Sequence, residues 1–181
     1  NSHIPRELSE SAYHQRVIEC QEGLSILKKK YGISSFREIN GIMLESLKEK
    51  SVVLYKRVHH VVAENQRVLN MKNQLQMEAP QKVGIILKES HESLKSLYEV
   101  SCKEIDYIID TSEDIDSWYG GRIMGGGFGG CSIHLVALER VNEFIKYIKE
   151  RYREKFHIIP EVIGVTFPGD RNSYRDKSST T

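Results

Sequence analysis

The chain has 181 residues, 28% of them charged, with a formal net charge of +1; that length predicts a single domain, 1–181, and the near balance of charge excludes a dedicated nucleic-acid binder, which would carry a basic excess. No apolar run approaches the roughly 18 residues of a membrane-spanning helix, and no basic-then-apolar start marks a secretory signal. The three cysteines, Cys20, Cys102 and Cys131, are far apart and odd in number, which argues against a disulfide framework or a zinc site and for a reduced, cytoplasmic chain.

Ser9, Glu10 and Ser11 precede a helical pattern in which Tyr13, Val17, Cys20, Leu24 and Leu27 recur at steps of four and three, one face of an amphipathic helix that Tyr31-Gly32 ends. Lys28, Lys29 and Lys30 stand where cations suit a helix C-terminus, a solvated face. Ser35 to Ile39 reads as a connector, and a short helix covers Ile42 to Leu47. Val53 to Leu75 reads as a long helix with Leu54, Val58, Val61, Val62, Val68 and Leu69 as its stripe, and Ala79-Pro80 punctuates it. The next helix spans Gln81 to Leu97 with Val83, Ile86, Leu87, Ser90, Leu94 and Leu97 inward. Ser101, with Glu104 three positions on, has the pattern of a capping box for a helix ending near Asp110 to Glu113.

Beyond this point the texture changes. Ser132 to Leu138 and the isoleucine- and valine-rich Ile158 to Val165 read as strands, with an amphipathic helix over Glu139 to Tyr152 between them. Strands among helices without regular alternation predict an α+β fold. The polar tail, 170–181, is expected to be disordered.

Seven glycines fall between Gly120 and Gly130. A dinucleotide fingerprint needs a helix after the loop, since the helix N-terminus binds the pyrophosphate; here a strand follows. A phosphate-binding loop of the GK[ST] type needs a lysine that Gly130-Cys131-Ser132 lacks. What remains is a tight connection needing positive φ or close neighbours, or a loop that supports a nucleotide site built elsewhere; composition leaves both open. His59, His60, His91 and His134 share no ligand spacing, so no metal site of their own is expected. Ser90, on an apolar face, reads as a buried hydroxyl bonded to backbone, and no aspartate–histidine pair is apparent to activate it as a nucleophile.

The stretch Gly120-Gly121-Arg122-Ile123-Met124-Gly125-Gly126-Gly127-Phe128-Gly129-Gly130-Cys131 resembles the third motif of the galactokinase branch of the GHMP sugar kinases. Asn1-Ser2 and Ser11-Ala12-Tyr13 with Arg16, Glu19 and Cys20 are similar to that family's N-S…Y-x-x-R-R-x-E-C stretch. Arg57-Val58-His59-His60-Val61-Val62 with Glu64-Asn65 and Arg67-Val68 resembles its R-x-x-H-V-V-x-E-N-x-R-V helix. Ser90-His91-Glu92-Ser93-Leu94, then Tyr98-Glu99-Val100-Ser101-Cys102 with Glu104 and Asp106, resembles its S-H-x-S-L…Y-x-V-S-C-x-E-x-D segment.

The resemblance implies a C-terminal GHMP kinase domain, with helices packed on a small antiparallel sheet of ferredoxin-like type. It implies that the family's sugar-binding acids and ATP-phosphate loop lie upstream, in an N-terminal half, which agrees with a start at Asn1 rather than methionine. It further implies galactose phosphorylation at the C1 hydroxyl by ATP with Mg²⁺, both bound mainly by that N-terminal half. No catalytic residue falls in this half, and the isolated chain is expected to be inactive. Tyr13 matches the family's sugar-contacting tyrosine; read from its own position alone, it is a core tyrosine. Arg122, Gly125, Gly126, Gly127, Phe128 and Gly129 are the residues expected to support the nucleotide site, with Arg122 also open to an ion pair inside its own domain. Ile123-Met124 stand where the family has Met-Thr, and Val17 replaces an arginine. These departures keep two alternatives open, a non-catalytic sensor of sugar and ATP and a kinase for another sugar such as N-acetylgalactosamine.

Overall fold

The computed structural model describes residues 1–4 and 9–165; the expected disordered tail, 170–181, lies outside the described residues. Helix α1 (Ser9–Tyr31) ends in a lysine-rich last turn and passes into Gly32 at φ +71, a left-handed exit that glycine adopts without steric cost. Helix α2 (Gly41–Lys50) is capped by the Asn40 side chain, which accepts from the Met43 N–H, and α3 (Val52–Gln76) by Ser51, which accepts from the Leu54 N–H. These helices close a first core in which Leu27, Leu47 and Val58 are fully buried beside Leu24, Leu44 and Leu54.

Helix α4 (Pro80–Ser96) opens on Pro80, whose missing N–H has no partner to lose in a first turn. Helix α5 (Lys103–Ser112) follows, then strands β1 (Trp118–Ile123) and β2 (Ser132–Val136), paired antiparallel with Gly121 opposite His134. Helix α6 (Val141–Phe156) ends at His157 in the left-handed region. A second core gathers Leu94, Val100, Ile105, Ile109, Trp118, Ile123, Phe144 and Tyr152 between α4, α5, α6 and the sheet. The result is α+β, helices on a small antiparallel sheet. The contact of α4 with β1 is backbone on backbone: a Cβ on Gly84 would lie 2.0 Å from the Tyr119 carbonyl oxygen, and one on Gly120 2.0 Å from that of Gly84.

Several expectations need correction. Ile158 to Val165 is not a strand. Its composition is that of a strand, but the described ladder against it is one residue long: Asn1 and Glu161 exchange N–H···O bonds of 2.8 and 3.0 Å, and Ile159, Ile163 and Val165 stay exposed. Gly120 to Ile123, read as loop, is the end of β1, because its glycines are what let α4 and β2 approach. Ser101 does not cap α5; the cap position is Cys102, and the Ser101 hydroxyl donates to Asp106. Val68 and Leu69 are exposed, since the neighbouring helices cover only the first half of the α3 stripe. Tyr13 and Val17 are exposed rather than core; burial on that face of α1 begins at Cys20.

Candidate functional site

The loop between β1 and β2 is closed by the Met124 N–H donating to the Cys131 carbonyl at 2.9 Å. Inside it Gly125, Gly127, Gly129 and Gly130 all have positive φ, and so does Phe128, at +59. Four glycines thus serve a backbone that L side chains adopt only under strain. Gly127 has a second reason. A Cβ there would stand 2.2 Å from the Val100 carbonyl oxygen, which also accepts the Phe128 N–H at 2.7 Å. From the other side the loop is tied to the chain start: the Ser2 N–H and hydroxyl both donate to the Gly130 carbonyl, at 2.8 Å each.

Gly126 differs from its neighbours. Its φ is not positive, and among the described residues a Cβ would meet only the Tyr13 ring, at an ordinary 3.6 Å. The two features singled out separately in the sequence, Tyr13 and the glycine loop, therefore meet at one place. Tyr13 is 45% exposed there, so its ring covers the loop while much of the side chain faces solvent.

Arg122 turns to its own domain. Its Nη1 donates to Glu64 Oε2 at 3.2 Å and to the Ser90 hydroxyl at 2.8 Å, and its Nε donates to the Ile123 carbonyl. Ser90 in turn donates to Glu64 at 3.0 Å, so the buried hydroxyl is bonded to side chains and not to backbone as expected. Glu64 also pairs with Arg67. This cluster joins α3, α4 and β1 beneath the loop.

The histidines are structural in their contacts. His60 shares a 2.8 Å hydrogen bond with Ser93 and stacks on Tyr98 at 4.4 Å between centroids. Burial, above all, holds it neutral, with its pKa down at about 4. His134 accepts from Trp118 Nε1 at 3.1 Å, and burial lowers its pKa to about 3. His91 faces Asp106 with Nε2 at 3.3 Å from Oδ1. Among the described residues no group of three or more His, Cys, Asp and Glu stands where it could hold a metal ion.

Sequence reading missed the ion-pair network behind Tyr13. Arg57, 3% exposed, donates to Glu19 Oε2 and Glu99 Oε2, each at 2.7 Å, and to the Leu97 carbonyl. Arg16 donates to the Tyr98 carbonyl at 2.7 Å and to the Glu99 carbonyl at 3.3 Å. Hydrogen bonds from Arg57 and then Lys56 lower the Glu99 pKa to about 2. A signal was present: Arg57 sits between Leu54 and Val58, on the apolar stripe, where a charge persists only when paired.

Comparison with known proteins gives this arrangement its class. Residues 71–154 match the family described as GHMP kinases C terminal. Within the family its likeness is to galactokinases. The galactokinase of Thermotoga neapolitana is 40% identical over 158 residues, which is 87% of this chain and 43% of that protein. That of Enterococcus faecalis is 34% identical over 157 residues, 86% of this chain and 41% of the relative. The crystal structure of Lactococcus lactis galactokinase complexed with galactose superposes with a TM-score of 0.81 at 33% identity, covering 88% of this chain and 42% of that one. The chain thus spans less than half the length of the relatives it matches, over their C-terminal part.

Proposed function

We propose that the chain is the C-terminal part of a galactokinase, an enzyme of the cytoplasm that moves the γ-phosphoryl group of ATP to the C1 hydroxyl of galactose. The observation that carries this reading is the meeting of Tyr13 with Gly126, on an exposed face, within a chain 40% identical to galactokinases. Phosphoryl transfer depends on positioning and on neutralising charge rather than on covalent help from the protein. Tyr13 offers a phenol edge to a sugar hydroxyl, and its ring shapes one wall of the pocket. The Gly125–Gly129 loop offers backbone close to the place where the nucleotide lies. The smallness of Gly126, which neither φ nor packing among the described residues demands, fits close approach by a ligand or by the N-terminal part. Arg122 acts from beneath, holding β1 to Glu64 and Ser90. The acids and the phosphate loop belong to the N-terminal part. So, on this reading, does Mg²⁺, and the chain alone is expected not to turn over.

The test is ADP release by the intact protein across a panel of sugars. Release that depends on galactose supports the reading. Release with N-acetylgalactosamine alone would move the substrate, and sugar-dependent partner binding without ADP would replace the kinase by a sensor. In the active protein Tyr13→Phe should raise the KM for galactose about 2- to 12-fold, the equivalent of one neutral hydrogen bond of about 0.5–1.5 kcal/mol. An unchanged KM and kcat would remove Tyr13 from the site.

A further inference from the structure

The α4–α5 turn stands between the two halves of the candidate site. Four successive carbonyls of that turn are occupied. Leu97 accepts from Arg57, Tyr98 and Glu99 accept from Arg16, and Val100 accepts the N–H of Phe128 in the glycine loop. Arg16 lies one helical turn after Tyr13 on α1, so the same side chain joins the helix carrying Tyr13 to the turn. Arg57 reaches from α3 to Glu19 of α1 and Glu99 of the turn together. Glu99 itself has φ +55, a left-handed conformation that a residue with a Cβ keeps only when its surroundings over-determine it. Its carboxylate is over-determined, with Arg57 at 2.7 Å and Lys56 at 2.9 Å. Phe128 has the same strained conformation, and its N–H rests on the next carbonyl.

We infer that Arg16, Arg57 and Glu99 are positioning residues for sugar and nucleotide alike: they fix the 97–100 turn, on which the glycine loop is seated, at one set distance from Tyr13. The inference rests on the proposed kinase reading. Its physical content is that the loop has little of its own to hold it. Its glycines make it conformationally cheap to deform; Ser2 holds its far end at Gly130, and Val100 seats its middle at Phe128. Loosening the turn should therefore weaken both ligands together, although none of the three residues need touch either.

The experiment uses the intact protein and the variants Glu99→Gln, Arg16→Gln and Arg57→Lys. Glu99 is the safest of these for folding, since its side chain is 41% exposed. Arg57→Lys keeps the charge but cannot make three hydrogen bonds in fixed directions. Each variant is expected to raise the KM for galactose and for ATP together, by about three- to tenfold, with a smaller change in kcat. A merely structural role would lower the active fraction, and so the apparent kcat, and leave both KM values where they were; that result overturns the inference. Hydrogen exchange supplies a readout free of activity. The Phe128 amide should exchange faster in Glu99→Gln than in the parent, and equal rates would overturn the inference as well. A parent protein that releases no ADP with any sugar would instead overturn the kinase reading, and the exchange comparison would still decide whether the turn seats the loop.

Discussion

Gly120→Ala offers the sharpest check on how this fold is held together. The new Cβ would stand 2.0 Å from the Gly84 carbonyl oxygen, 2.5 Å from its carbon and 2.6 Å from its Cα. Carbon and oxygen atoms in contact sit about 3.3 Å apart or more, so α4 and β1 must separate by about 1.3 Å. All three obstructing atoms are backbone, and no rotamer change relieves them. Overpacking where side chains can yield costs about 1–3 kcal/mol; here the cost should reach at least about 3 kcal/mol, against a total of about 5–15 kcal/mol for an ordinary domain. Urea unfolding can be followed through Trp118, the one tryptophan of the chain, buried two residues away in β1. Gly126→Ala is the control. Among the described residues its Cβ meets only the Tyr13 ring, at 3.6 Å, and its stability should stay within about 0.5 kcal/mol of the parent. A Gly120→Ala protein as stable as the parent would mean that α4 and β1 do not approach as described.

Three further outcomes are expected. Gly126→Val in the intact protein should raise the KM for ATP or galactose while leaving the melting temperature nearly unchanged; equal kinetics would remove Gly126 from the site. His157→Gly, at the exposed left-handed end of α6 with φ +58, should stabilise by about 0.5–1 kcal/mol, since glycine adopts that conformation without the Cβ clash; a lower melting temperature would refute the cap argument. Acid should destabilise early. Burial keeps His60 and His134 neutral, with pKa values of about 4 and 3 against an ordinary 6.5. The unfolded chain takes up protons there first, so their contribution is intact above pH 6.5 and is lost as pH falls toward 4 and 3. At pH 5 the loss is up to about 2 kcal/mol for each. A urea midpoint unchanged between pH 7.5 and 5 would contradict this. His134→Gln should flatten part of the slope.

Much of the architecture was legible because period carries it. The 3.6-residue spacing gave α1, α3 and α4 close to their observed bounds, and Pro80 and Gly32 marked an entry and an exit. What failed did so for identifiable reasons. Periodicity reports an apolar face, not whether anything in this chain covers it, so Tyr13, Val17, Val68 and Leu69 were all read inward although they are exposed. Ile158 to Val165 has the composition of a strand, but strand formation needs a partner over several residues, and Asn1 supplies one pairing. At the site, Tyr13 and the loop were legible from motif likeness, whereas their contact, 113 positions apart (126 − 13), was not. The Arg57 network joins residues 19, 57, 97 and 99; the apolar stripe marks Arg57 as a charge that must be paired, but no local spacing names its partners.

The glycine-rich stretch shows why composition alone left its role open. Three unrelated demands are written in the same residue. Gly120 and Gly121 are small because a helix carbonyl and the facing strand lie where a Cβ would go. Gly125, Gly127, Gly129 and Gly130 answer to positive φ. Gly126 answers to neither among the described residues. Substitution at the first two groups should therefore register in stability, and any effect on ligands there is confounded with folding. Gly126 is the position at which a loss of affinity at constant stability can be assigned to the site, so the tight turn and the proposed nucleotide support can be separated by substitution.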